Sequence, residues 1–177
     1  MTKPIIYCDM DGVLADFKTG AQRTTGMSIN KWMNIPSSKE KWGLIKAKKN
    51  FWSTLPWMPG GKQLWSYISK LDPHILSAYV EESFDPNCIP GKTEWLRRNA
   101  GISNRSKINL VRRKEKKLFA KKGSPSILID DYEKNVREFI NAGGKAIHHT
   151  NTSKTISELK KLGFYLINST SYITIIN

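Results

Sequence analysis

Two apolar runs in this chain end in paired carboxylates. Ile5-Ile6-Tyr7-Cys8 leads into Asp9-Met10-Asp11-Gly12, and Ile127-Leu128-Ile129 leads into Asp130-Asp131. On an extended backbone successive side chains alternate, so Asp9 and Asp11 can share one side at about 6–7 Å. Gly12 lets the chain leave the strand sharply, because it takes positive φ without a Cβ clash. Carboxylates held this close raise one another's pKa unless a cation offsets them. Mg²⁺ suits the role, since it takes one or two carboxylates together with water and phosphate oxygens. A Ca²⁺ loop of the EF-hand kind does not fit, because Val13, Leu14 and Gly20 stand at its fifth, sixth and twelfth positions. A turn that merely ends a strand would account for Asp-x-Asp-Gly alone, but no stability argument calls for a second pair. Asp9, Asp11, Asp130 and Asp131 are therefore the candidate metal ligands.

Both apolar runs are short and lack polar alternation, which is the pattern of strands covered on both faces of a parallel sheet. Further strands are expected over 74–78, 108–111 and 145–149, with helices over 91–99, 133–142 and 156–162 between or after them. The second strand ends in Ser77-Ala78, whose hydroxyl and free backbone N–H groups make a lip for phosphate. After the third strand comes Arg112-Arg113-Lys114-Glu115-Lys116-Lys117; most of these side chains read as a solvated basic face. A lysine just past a strand end can instead reach inward and neutralise phosphate as a point charge. Lys114 has that placement, with Lys117 next. Strands alternating with helices, with polar groups at their C-terminal ends, define a three-layer, Rossmann-like α/β fold that binds ligands beyond the strand ends. The segment 164–176 is β-prone and is expected to add an edge strand or hairpin.

Residues 18–72 interrupt this alternation with a basic, tryptophan-rich stretch punctuated by Pro36, Pro56, Pro59 and Gly60-Gly61. They read as a small helical cap over the first strand's end, with helical pieces over 29–33, 39–48 and 62–71. The core is then 1–17 together with 73–177. Most of the tryptophans suit a small subdomain core. Phe51 and Trp52, beside a break, are the candidates for contact with a substrate base.

At 177 residues the chain fits one domain with a small insertion. Two cysteines are too few for a disulfide framework, and no apolar run approaches a membrane span, so a soluble cytoplasmic protein is expected. The formal net charge of +14 favours phosphate-bearing partners without separating nucleotides from nucleic acids.

Asp9-Met10-Asp11-Gly12-Val13-Leu14-Ala15-Asp16-Phe17 resembles the first motif of the haloacid dehalogenase-type phosphohydrolases. Phe51-Trp52-x-x-Leu55-Pro56 with Pro59-Gly60, Ile75-Leu76-Ser77-Ala78, Lys92-x-x-Trp95-Leu96, Ile127-to-Asp131 and Ala142-Gly143-Gly144-Lys145-Ala146-Ile147 are similar to that superfamily's 5′-nucleotidase, or deoxyribonucleotidase, branch. The resemblance implies a Mg²⁺-dependent phosphatase working through an aspartyl-phosphate. Asp9 would be nucleophile and metal ligand, and Asp11 acid/base and ligand through its carbonyl. Ser77 and Ala78 would bind phosphate, Lys114 would neutralise it, and Asp130 and Asp131 would complete the metal site. Ser77-Ala78 departs from the branch's Thr-Ser-like second motif, and the distance from Lys114 to Asp130 is stretched. The implied partner is a small phosphate monoester, a nucleotide. The rivals are a phosphatase for nucleic-acid ends and an inactive nucleic-acid-binding module on the same fold. The intact carboxylate set speaks against the second, as does the lack of any helix-turn-helix, zinc-finger or RNA-recognition signature.

Overall fold

A computed structural model describes residues 4–121 and 125–166. Five strands, β1 (Ile5–Cys8), β2 (His74–Ala78), β3 (Ile108–Val111), β4 (Ser126–Asp130) and β5 (Lys145–His148), form one sheet in the order β3-β2-β1-β4-β5. Every pairing is parallel. The sheet is thus the expected one, with β1 at its centre. From β1 the chain moves outward through β2 to β3, then returns to the other side of β1 for β4 and β5. The reversal falls between β1 and β4, where an open parallel sheet has its ligand crevice. Cys8 pairs with Ile129, and the Asp9 N–H donates to the Ile129 carbonyl at 2.9 Å. This register brings the two carboxylate-bearing strand ends side by side.

Burial explains the near-absence of polar alternation in β1 and β4. All five residues of β4 are buried, as are three of the four in β1. One core cluster joins Ile6, Cys8, Ile75, Ile127 and Ile129 to Trp95, Leu96 and Leu159; a smaller one on the other face holds Tyr7, Leu76, Leu128, Phe119 and Phe139. The helices α5 (Cys88–Ala100), α6 (Glu133–Asn141) and α7 (Thr152–Lys161) complete the layers that the sequence predicts. The last starts four residues earlier than its apolar pattern indicates, because the Asn151 side chain caps it by accepting from the Lys154 N–H.

Between β1 and β2 lie α1 (Phe17–Thr25), α2 (Ile29–Met33), α3 (Ser38–Lys46), a 3₁₀ turn at Trp52–Thr54 and α4 (Gly61–Ile68). Asp16 caps α1, accepting from the Thr19 N–H and hydroxyl at 3.0 and 2.7 Å. Phe17, Trp32, Trp42, Phe51 and Trp52 pack into one aromatic cluster with ring centroids 5.0–6.2 Å apart. α4 instead reaches toward the core helices, where the Trp65 indole donates to the Ala100 carbonyl at 2.9 Å. Among the described residues, no helix is long and apolar enough to cross a membrane. Most of the β-prone stretch 164–176 lies outside the described residues.

Candidate active site

The ends of β1, β2 and β4 and the segment after β3 converge on one cavity of about 940 Å³, whose walls include Asp9, Asp11, Ser77, Ala78, Lys116 and Asp131. Asp9, Asp130 and Asp131 each present an oxygen to a common centre, these atoms lying within 4.8 Å of one another. Gly12 is what lets Asp131 come in. Its φ is +78°, and a Cβ there would sit 2.2 Å from Asp131 Oδ2, so only glycine accommodates both the turn and the approach. Asp9 Oδ1 accepts from the Met10 N–H at 2.8 Å, which leaves Oδ2 toward the cluster.

The cation in this cluster is Lys116. Its ammonium, 2 % exposed, stands 2.9 Å from Asp9 Oδ2 and 2.7 Å from Asp130 Oδ2. The sequence points to Lys114 or Lys117, and the structure leaves both exposed. The reason is helical period. Arg113–Lys121 is a 3₁₀ helix, in which side chains at i and i+3 eclipse. Arg113, Lys116 and Phe119 therefore share the inner edge, half-buried, buried and buried, while Lys114 and Lys117 turn to solvent. Nothing in an α-helical reading of the segment singles out Lys116.

Asp130 is held from all sides. Besides Lys116, its oxygens accept from the Tyr132 N–H at 2.9 Å and the Asn135 amide at 3.0–3.1 Å. Asn135 is fixed in turn by Arg113, which also pairs with Glu138. These engagements make Asp130 the support of the cluster and leave Asp9 and Asp131 facing the cavity. Burial, then Asp9, pushes the Asp130 carboxyl up to about 6 against the pull of Lys116. Burial, then Asp9 and Asp130, pushes Asp131 up to about 7. Burial disfavours the Lys116 ammonium, but the facing Asp9 and Asp130 outweigh it and hold its pKa above the ordinary lysine value. An all-oxygen donor set with surplus negative charge fits a hard divalent cation such as Mg²⁺. Asp11 presents its carboxylate elsewhere, to the ammonium of Lys92 at 2.5 Å.

Phe51 and Trp52 are 1 % and 2 % exposed and lie in the aromatic cluster of the segment between β1 and β2, not in the cavity wall. This corrects their reading as base contacts. The Trp52 indole is taken up by Asp85, to which it donates at 2.7 Å. The aromatic rings that do line the cavity are those of Phe17, Tyr132, His148 and His149. Its far wall comes from Met58-Pro59-Gly60 and the loop before α7, tied together where the Thr152 hydroxyl donates to the Gly60 carbonyl at 2.9 Å.

No protein-family model and no curated protein matches the chain. Solved structures do. A hydrolase from Streptococcus pneumoniae TIGR4 is 13 % identical at a TM-score of 0.55, with 90 % of this chain and 100 % of that chain covered. L-2-haloacid dehalogenase from Xanthobacter autotrophicus is 15 % identical at 0.54, covering 93 % and 85 %. A hydrolase from Pseudomonas syringae is 16 % identical at 0.52, covering 90 % of each. At such identities the likeness is one of fold: the chain has the Rossmann-like fold of the haloacid dehalogenase-type hydrolases.

Proposed function

We propose that the protein is a Mg²⁺-dependent phosphatase that hydrolyses a phosphate monoester through an aspartyl-phosphate, acting on nucleoside monophosphates. The observation that carries this reading is the Asp9–Lys116–Asp130 arrangement beside Asp131 at the cavity floor. It supplies a nucleophilic carboxylate, a buried cation and a ligand set for a second cation at one point. A phosphate dianion is repelled by an anionic nucleophile, and these positive charges offset the repulsion. Asp9 and Asp131 would hold Mg²⁺, with Asp130 behind them; when bound, it would polarise the phosphoryl oxygens and offset charge in the transition state.

Asp9 attacks phosphorus through its cavity-facing oxygen, forming the Asp9–phosphorus bond as the ester P–O bond breaks. Asp11 gives a proton to the departing alkoxide and later takes one from the water that cleaves the acyl phosphate. Burial, partly opposed by Lys92 and reinforced by Asp9, raises the Asp11 carboxyl above its usual range, which suits a group that must start protonated. Ser77 and Ala78 line the cavity where the phosphate would sit, and Lys116 takes the neutralising role first sought in Lys114.

A cavity of about 940 Å³ exceeds what a bare phosphate needs, and its wall of Phe17, Tyr132 and the loop before α7 offers a ring and polar groups to a nucleoside. A phosphate-release screen over nucleoside monophosphates, sugar phosphates and 5′- or 3′-phosphorylated oligonucleotides, with Mg²⁺ or EDTA, tests the reading. Release from nucleoside monophosphates only with Mg²⁺ supports it; full activity in EDTA, or activity confined to oligonucleotide ends, overturns it.

A further inference from the structure

Lys92 has no part in the chemistry described so far, yet it is the most completely engaged cation in the site. It lies on α5, is 0 % exposed, and does not line the cavity. Its ammonium donates to Asp11 Oδ2 at 2.5 Å, to the Ala78 carbonyl at 2.6 Å and to the Ser77 hydroxyl at 3.2 Å. Three acceptors use up its three hydrogens, so it has none left for a substrate phosphate. The Trp52 ring covers it at 5.2 Å, and Trp52 is itself held by Asp85. The residue before Lys92 is Gly91, where a Cβ would come within 2.6 Å of the Trp52 Cβ, so the 3₁₀ turn that carries Trp52 packs directly on the helix that carries the lysine.

Resting on the phosphatase reading, we propose that Lys92 is a positioning residue that fixes Asp11 for proton transfer. By holding Oδ2 it prevents the carboxyl group from exchanging its two oxygens. Oδ1 is buried and has no hydrogen-bond partner among the described residues, so the Lys92 contact at Oδ2 is what sets the plane in which the carboxyl group meets the cavity. In the first half-reaction an Asp9 oxygen bonds to phosphorus, the ester P–O bond breaks, and the leaving oxygen's electron pair takes the proton from the Asp11 carboxyl group. The aim of that proton depends on the carboxyl plane, and Lys92 sets the plane. A purely structural ion pair would behave differently. Replacing a buried pair's cation leaves a charge uncompensated and weakens the whole protein, without regard to which substrate is present.

The leaving group separates the two cases. An alkoxide needs the proton as it departs, whereas p-nitrophenolate leaves without one. The parameter kcat/KM stops at formation of the phosphoenzyme, so the later proton removal by Asp11 does not enter. For Lys92→Met, kcat/KM on whichever alkyl phosphate the wild type turns over should fall by about 10²-fold, the usual worth of a placed general acid. The loss on p-nitrophenyl phosphate should be no more than about a tenth as large. Adding Lys92→Met to Asp11→Asn should cost nothing further on the alkyl substrate. Equal losses on both substrates, or a full additional loss in the Asp11→Asn background, would overturn the proposal. Should Lys92→Met not fold, Lys92→Arg keeps the charge but changes its shape; the same selective loss is expected, and an equal loss on both substrates counts against the idea. A wild type that hydrolyses neither substrate would defeat the phosphatase reading itself, which is a distinct result.

Discussion

The carboxylate pocket and the aromatic cluster of the cap meet at Trp52, whose ring covers Lys92, but they are built on opposite rules. In the cluster, buried rings pack edge to face or stacked, and the polar atoms they carry are satisfied locally, as the Trp32 indole is by the Lys41 carbonyl at 3.0 Å. Such a region follows from burying large apolar surface. In the pocket, Asp9, Asp130, Lys92 and Lys116 are buried ions whose desolvation costs more than well-packed apolar side chains would. Stability does not explain them, so chemistry must. Buried charge that packing does not require marks the site, whereas a buried ring marks only a core.

The sharpest break of this contrast is Asp9→Asn. The substitution keeps the side chain's shape and removes the proposed nucleophile, so turnover should fall by roughly 10⁴-fold or more. Thermal unfolding should shift little or upward, because Asp130 still pairs Lys116 and one member of a repulsive trio has lost its charge. Phosphate release near the wild-type rate, with deamidation excluded by mass spectrometry, would remove Asp9 from the mechanism.

Lys116→Met and Lys114→Met form the next comparison. The first removes the cation between Asp9 and Asp130 and should lower kcat/KM by about 10²–10³-fold, as losing a preorganised electrostatic partner does. The second alters a solvated side chain and should leave activity within about twofold and stability within about 0.5 kcal/mol. If the two variants lost activity alike, the 3₁₀ geometry of the segment would be wrong.

On the cap side the largest effect should be on folding. Trp52→Ala empties a buried site and leaves Asp85 without its indole donor, which should destabilise by about 3–5 kcal/mol. Denaturant unfolding measures it directly. Nucleotide and p-nitrophenyl phosphate should then suffer together as folded protein is lost. A selective loss on nucleotides with unchanged stability would restore Trp52 as a base contact.

These cases also show what the sequence makes legible. The parallel sheet could be read from 5–8 and 126–130, because buried strands leave an apolar run with no alternation, and from the alternation of the strands expected over 74–78, 108–111 and 145–149 with helices. Asp9, Asp11, Asp130 and Asp131 stood out because carboxylates at the ends of such runs have no packing rationale. Lys116 stayed hidden among the nine Lys and Arg of residues 105–122, since its burial depends on a 3₁₀ period that composition does not encode. Lys92 stands out only within the motif Lys92-x-x-Trp95-Leu96, with no role readable, because its partners Asp11, Ser77 and Ala78 come from two other strand ends. Trp52 misled because an aromatic ring beside a chain break looks the same in sequence whether it faces a ligand or a core.

The smallest effect concerns pH and metal. Burial and then Asp9 push the Asp131 carboxyl up to about 7 and the Asp130 carboxyl up to about 6, from an unperturbed value of 3.8. Between those limits these two carboxyls hold protons in the folded protein that the unfolded chain has released, so their contribution to stability falls as pH rises and levels off above about 7, against the opposite contribution of His149 and His74, which burial holds below the ordinary histidine value. A divalent cation binds the ionised carboxylates and competes with those protons, so its stabilising effect should grow across the same window. Melting temperatures taken from pH 5 to 8.5 in EDTA and in Mg²⁺ should diverge with rising pH, by a few degrees at the alkaline end. Asp131→Asn should flatten the EDTA curve and shrink the Mg²⁺ increment, because it removes both the titrating carboxyl and a ligand. An increment equal at pH 5.5 and pH 8, or an EDTA curve that Asp131→Asn leaves unchanged, would mean that the cluster is neither protonated nor metal-binding in the way its burial requires.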